Sequence, residues 1–549
     1  MGMLFGFLWL LLFVIYYPAA KAGFVTDFTG WLDQVKNHSF REYINRTNFR
    51  AGSWYQFTQF NTWFFYKLFG IHAWLWHLLF ITLHTVNACL LFILSCHLME
   101  DVGISRKRGI AFGGALLFCV SPYISEVVIW EPAFHFLQGL LLLLVILVWA
   151  QLFQRTGKKK YAWWAAIVYI LSTFSLEIFY ITPWLVLSLA LFHRFHLLLF
   201  GKRLFNLLFR YFFIPQIIIF FVRIIAYRLF AGDWVSRIGS GTVRLVTLES
   251  FGKPAKYLFH LLFLGRFFPE AFRHKVYAVC DSFWGIALFY SIVLLVFVYI
   301  AIRFTSIGRR AKIASLFFVW MMTALLLLVP LWFSDDLLVV YDRYIYFAGA
   351  FFYMLFAVLV SMITLKYVRV WVLGLSALIN LRFAIQVSRY WSKSVHIVDN
   401  LLRTIPDERD KTIILLNIPQ NMHGIPMIGA EKNSEYKLMH DLLLPDKLLT
   451  NTVYDGLAYN MLTPMDGAHV NVVNDSMVKV TLNQWGTWWW FETRGGYSYW
   501  TTDYKLDLKD PGHWYELTLR KPAGQYLLLY NTGDQWKVVD MSKKDVDQN

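Results

Sequence analysis

Runs of about 20 mainly apolar residues recur along the first 390 positions, broken by short charged segments. Coiled as a helix, a run of that length matches the hydrocarbon thickness of a bilayer. A series of such runs commits the chain to a polytopic α-helical membrane protein. Composition agrees: of 549 residues only 16% are charged, 58% are hydrophobic and 19% aromatic, and the mean hydropathy is +0.48. Soluble domains carry about one quarter charged residues.

The spacing predicts about eleven spans, near 4–20, 73–97, 109–130, 134–153, a hairpin of two within 161–199, 206–230, 283–302, 313–333, 345–365 and 370–386. The first ends in Tyr17-Pro18-Ala19-Ala20-Lys21-Ala22, small residues like a cleavage site. It lacks a basic n-region and is read as an uncleaved helix. The net charge of +16 would suit a nucleic-acid partner, but its distribution argues otherwise. Arg106-Lys107-Arg108, Lys158-Lys159-Lys160, Lys202-Arg203, Arg309-Arg310 and Lys366 with Arg369 follow spans two, four, six, eight and ten. The positive-inside rule puts those loops and the amino terminus in the cytoplasm. Asp27, Glu131, Glu177, Asp233 and Asp335-Asp336 occupy the opposite loops. The first loop (21–71), the segment 232–282 and the carboxy-terminal region are then extracytoplasmic, in periplasm or lumen.

Apolar pieces such as Tyr257 to Phe268 are too short to span. They read as interfacial helices, with Lys256, Arg266 and Arg273 toward headgroups. A transmembrane domain over 1–390 thus gives way to a small, mainly β domain over 391–549. There Val478–Leu482, Trp488–Phe491 and Tyr526–Tyr530 read as strands, Asn531-Thr532-Gly533-Asp534 as a turn, and Glu435 to Leu444 as a helix. The four cysteines show no CxxC or Cys/His spacing, so neither a structural zinc nor a disulfide framework is expected. Without a Walker A or GxGxxG unit, no nucleotide cofactor is expected either. No repeated halves and no broken helices are evident, which weighs against a transporter.

Ionisable residues near membrane depth are functional candidates by default, and here they gather at the outer helix ends. Asp27 follows the first span; it reads either as the cap of a short interfacial helix or as a catalytic carboxylate, with Asp33 on the same segment. Glu126 and Glu131 lie about one and a half turns apart, either paired to a bundle arginine or lining a polar cavity with His135 and Gln138. Arg343 sits where positive charge is disfavoured, as do Arg223 and Arg228. It reads either as an ion-pair partner of Asp342 or Asp336, or as a fork for a lipid phosphate. His77, His84 and Asn87 form a polar stripe better suited to interhelical hydrogen bonds than to a metal.

In order along the chain come Thr26-Asp27, then Phe69-Gly70-Ile71 with Trp76-His77 and His84-Thr85-Val86-Asn87, then Ser121-Pro122-Tyr123-Ile124-Ser125-Glu126 through Trp130, then Asp342-Arg343-Tyr344-Ile345-Tyr346. In this series residues 1–390 resemble the membrane-embedded glycosyltransferases of the GT-C fold, most of all the protein O-mannosyltransferases. The sequence departs from that family in two places. Phe28 stands where a second acidic residue often follows Asp27, and Arg50-Ala51 stands near the usual Arg-Pro pair. The resemblance implies a polyprenyl-phosphate-linked sugar donor, a hydroxyl acceptor on protein, glycan or lipid, and Asp27 as general base. With it, Arg343 and Arg228 are assigned to the donor phosphate, and Glu126 and Glu131 to acceptor or sugar hydroxyls.

Two other classes compete with a glycosyltransferase. A transporter or lipid-linked-sugar flippase would line a path with the same polar residues. A scaffold would use the β domain, whose Trp485, Trp488, Trp489 and Trp490 suit a sugar platform as well as a core.

Overall fold

The computed structural model describes residues 1–25, 28–45, 55–175, 180–194, 208–232, 247–331, 341–404, 410–428, 435–461, 463–482, 487–489, 498–510 and 514–542. Asp27, Glu177, Asp335, Asp336, Trp485 and Trp490 lie outside these residues. The chain divides into two compact units: Met1–Tyr16 with His38–Leu68 and Trp76–Ile385, and Tyr17–Asn37 with Phe69–Leu75 and Gln386–Asn549.

The first unit is a helical bundle. Among the described residues seven helices are long and apolar enough to cross a membrane: Gly2–Lys21, Ala73–Asp101, Glu131–Thr156, Phe209–Ala226, Phe283–Arg303, Asp342–Ser361 and Lys366–Thr404. The protein is therefore a polytopic integral membrane protein. At the bundle centre, the helix Tyr346–Ser361 packs against both Lys107–Cys119 and Arg309–Leu326. Phe283–Arg303 buries only Ile286 of its own residues and turns its apolar surface outward. The expected hairpin within 161–199 is represented by two shorter helices, Lys159–Ser172 and Thr182–Arg194.

The structure corrects three expectations. The span expected at 109–130 is broken: Lys107–Cys119 ends, and after a bend of 54° the chain resumes over Pro122–Ile129. Pro122 has no N–H to give, and its ring excludes a helical carbonyl one turn back. Ser121 before it is extended, as a pre-proline residue prefers, and its hydroxyl accepts from the Tyr123 N–H. A broken helix is thus present after all. The last span, expected to stop near 386, runs on as a single helix from Lys366 to Thr404. That is about 58 Å at 1.5 Å per residue, well beyond a bilayer core. Polar residues after Ile385 change what surrounds the helix without ending it.

The third correction concerns the helix Lys253–Phe263, expected to show its cations to headgroups. Its buried residues are mainly polar, Lys253, Lys256, Tyr257 and His260 beside Pro254 and Leu261, while Leu262 and Phe263 are exposed. Arg266 is buried as well, and Arg273 is half-buried.

The second unit is mainly β, as expected. The long strand β1 (Thr412–Met422) is central and mostly buried; β2 (Ile425–Pro426) turns back antiparallel on its end, and β3 (Val453–Met461) and β10 (Tyr526–Asn531) pair with it in parallel. The first crossover carries the helix Glu435–Leu443, against which Phe28–Asn37 packs. β6 (Thr487–Trp489) and β11 (Trp536–Val538) close the two edges antiparallel, the latter through a turn in which Gly533 takes φ 114°. A second, antiparallel sheet runs β4 (Ala468–Asn474), β5 (Met477–Leu482), β9 (Trp514–Leu519), β8 (Tyr504–Asp510) and β7 (Tyr499–Trp500). Tyr515 on β9 donates its hydroxyl to Leu416 O on β1, joining the two sheets.

Candidate functional site

Charged and aromatic side chains converge where three irregular pieces of the first unit meet. These are the broken span around Pro122–Ile129, the 3-10 turn Asp342–Ile345, and the helix Lys253–Phe263 with its following turn. Helix ends leave backbone groups unsatisfied, so such a junction holds polar side chains that a continuous span would exclude.

Glu126 and Arg343 form the centre. The Arg343 backbone N–H donates to Glu126 Oε2 at 2.6 Å, and its guanidinium donates to Oε1 of the same carboxylate. Glu126 is 3% exposed. Trp130, Tyr341 and Tyr344 surround the guanidinium carbon, with ring centres 4.9, 4.4 and 5.0 Å away. Arginine has five N–H groups. Only the one directed at Glu126 is bonded within the described residues, and neither Nε nor Nη2 is sealed from the surface. The fork is held in place with donors to spare.

The neighbouring carboxylate, Asp342, pairs with Arg266 rather than with Arg343, and both are buried. Tyr257 donates to Tyr341 O at 3.3 Å, linking the helix Lys253–Phe263 to the same turn. Further along that helix Lys256 pairs with Asp281 and lies over the Tyr277 ring. Lys253 donates to Leu331 O. His260 shares a hydrogen bond with the Tyr277 hydroxyl, and its carbonyl accepts from the Tyr123 hydroxyl at 2.7 Å. Burial drives the His260 imidazole down to about 3, and Arg273 and Arg266 act in the same direction, so it is neutral.

A second polar layer lies between Ala73–Asp101 and its neighbours. His77 Nε2 meets Glu131 Oε1 at 2.8 Å, with both side chains buried. His84 Nδ1 meets the Tyr346 hydroxyl at 2.8 Å, and Asn87 donates to that hydroxyl at 3.1 Å. The His77–His84–Asn87 stripe therefore makes interhelical hydrogen bonds, as its spacing suggested.

The structure thus joins Glu126 to Arg343, the bundle-arginine reading of that glutamate, and gives Glu131 to His77. His135 stacks on Tyr55, with ring centres 5.6 Å apart. Arg228 is exposed in the last turn of Ile214–Ala231 and donates to Gly232 O. Arg223 is buried and donates to Thr173 O. Lys253, Lys256, Arg266 and His260 escaped sequence reasoning as site residues. For the three on the helix the available signal was spacing, since 253, 256, 257 and 260 form one helix face; Arg266 in the following turn had no such signal.

No family model matches the chain, and no curated protein matches it. Among solved structures it is similar to a crystal structure of ArnT from Cupriavidus metallidurans bound to undecaprenyl phosphate, at 12% identity and a TM-score of 0.32. That likeness covers 83% of this chain and 92% of the other, and at such a score it carries no argument about chemistry.

Proposed function

We propose that the chain is a GT-C-type glycosyltransferase of the protein O-mannosyltransferase kind. It moves a hexose, mannose by that resemblance, from a polyprenyl-phosphate donor to a hydroxyl acceptor at the non-cytoplasmic membrane face. The observation that carries this reading is Arg343: an arginine at a helix end, oriented by Glu126 and three aromatic rings, with most of its donors uncommitted. A fork of that kind matches phosphate oxygens, and little of it need reorganise as charge develops on a leaving phosphate.

In this reading the acceptor oxygen attacks the anomeric carbon. The bond from that carbon to the phosphate oxygen breaks, and its electron pair leaves with the polyprenyl phosphate. The acceptor proton passes to Asp27, because an alcohol is a weak nucleophile at neutral pH. Arg343, with Arg228, meets the phosphate. Glu131 orients hydroxyls, and Glu126 does so while holding Arg343. No separate energy source is needed, since the donor is already activated.

The test uses purified full-length protein with a polyprenyl-phosphate sugar and a hydroxyl acceptor. Asp27→Asn is expected to lower turnover by about 10²–10⁴-fold. Near wild-type turnover would remove Asp27 as base. One observation favours a second reading, a lipid-linked-sugar flippase: the broken span at Val120–Ser121 is a device transporters use. Movement of the sugar-lipid across proteoliposomes without any transfer would establish that reading instead.

A further inference from the structure

At the far end of Tyr346–Ser361 from Arg343 the bundle opens a cavity of about 440 Å³, lined by Gly103, Ser105, Gly308, Arg309, Arg310 and Met362 among others. Sixteen residues of helix at 1.5 Å each separate the two places by about 24 Å. We propose that this cavity is a second binding site, specific for a phosphate group, on the membrane face opposite the transfer site. It stands independently of the proposed transfer reaction.

Four observations carry the assignment. First, both guanidiniums are tied to the protein while still open to solvent, Arg309 being exposed and Arg310 half-buried. Arg309 Nη1 donates to Gly103 O at 3.1 Å, and Arg310 Nη1 donates to Ser361 O at 2.6 Å. Second, among the described residues neither arginine has a carboxylate partner, whereas nearby Lys107 and Arg155 are paired with Glu100 and Asp101. Each arginine bonds a neutral carbonyl with one N–H and keeps its charge and remaining donors for an anion. Third, the walls supply no acid: Ser105 adds a hydroxyl, and Met362 an apolar edge. Fourth, Gly103 takes φ +72°, and a Cβ there would stand 3.0 Å from Arg309 Nη1, so glycine permits the close approach that fixes the fork. The start of Arg309–Leu326, where Gly308 offers no side-chain cap, adds unbonded backbone N–H groups to the same cavity.

A phosphate diester in a lipid headgroup and a free phosphate share this chemistry. The full chain in uncharged detergent would be titrated with phosphatidylglycerol, and separately with inorganic phosphate, reading the thermal unfolding midpoint and the lipid bound per protein. Wild type is expected to saturate with a rise in midpoint. Arg309→Gln/Arg310→Gln is expected to need at least tenfold more ligand. Arg106→Gln/Arg108→Gln removes the same charge from the same end outside the cavity and is expected to behave as wild type. Saturation by phosphatidylglycerol that inorganic phosphate does not displace assigns the site to a lipid; displacement at millimolar phosphate assigns it to a free phosphate. Equal weakening in the two double variants would overturn the proposal, because the response would then belong to diffuse surface charge. Should the first double variant not fold, Arg309→Lys keeps the charge but loses the fork, and unchanged affinity there would also overturn it.

Discussion

At the residue scale the central fact is a carboxylate and a guanidinium that meet across 217 positions of sequence. Each was singled out by its cost: an ionised side chain at membrane depth must be paired or used. The pairing itself was not legible. Asp342 stands next to Arg343 in sequence, yet Arg266 takes it, because the 3-10 turn Asp342–Ile345 points adjacent side chains in different directions. Removing one member of a buried pair leaves the other charge without compensation, which costs about 3–5 kcal/mol. Glu126→Gln and Arg343→Gln are each expected to destabilise the protein by about that much, and the double variant by clearly less than their sum. Unfolding in mixed micelles would measure this cycle. Strict additivity would mean that the two side chains do not depend on each other. For turnover, Arg343→Gln is expected to cost about 10²–10³-fold, the loss typical of one donor to a developing oxyanion.

At the scale of elements, apolar runs located the helices well, and the errors fall where a neighbour overrode the local pattern. The sequence around Tyr257 to Phe268 reads as an interfacial helix with Lys256 and Arg266 toward headgroups. Inside a membrane protein the surroundings of a helix invert: Leu262 and Phe263 are exposed, while buried Lys256 and His260 find partners in half-buried Asp281 and buried Tyr277. Sequence shows the moment of a helix and not what lies on each side of it. Close packing is equally silent. Gly114 looked like any small residue in an apolar run, yet a Cβ there would lie 2.5 Å from Met354 Sδ and 3.1 Å from Met354 Cα. The helices Lys107–Cys119 and Tyr346–Ser361 approach at that point because a side chain is missing. Gly114→Ala should therefore destabilise by about 1–3 kcal/mol through overpacking. Gly374→Ala, where nothing lies within 4 Å, should be neutral or slightly stabilising. Equal midpoints for the two variants would show that the helix Lys107–Cys119 can slide to make room.

At the scale of the whole molecule parity governs: how many helices cross between one loop and another decides which face each occupies. The basic loops were legible from sequence, and on the positive-inside rule we propose a cytoplasmic amino terminus and an extracytoplasmic β unit. Between Ser306 and the β unit lie three helices, Arg309–Leu326, Asp342–Ser361 and Lys366–Thr404. The first is the least apolar of the three at its start, with Arg309, Arg310 and Lys312 in its opening turn. Its length of about 27 Å nevertheless nearly matches a bilayer core. Ten of its side chains, Trp320 and Leu325 among them, are buried against protein. A span surrounded by other helices need not be apolar enough to meet lipid on all sides, so its modest hydropathy does not disqualify it. Three crossings put Ser306 and the β unit on opposite faces, whereas two would put them on the same face. In a protein lacking its four cysteines, Ser306→Cys and, on β4, Val473→Cys would each be exposed to an impermeant thiol reagent in sealed, oriented vesicles. The expected result is labelling of position 306 from the cytoplasmic side only and of position 473 from the opposite side only. Labelling of both from one side would mean that Arg309–Leu326 does not cross, and Arg343 would then lie on the same face as position 306.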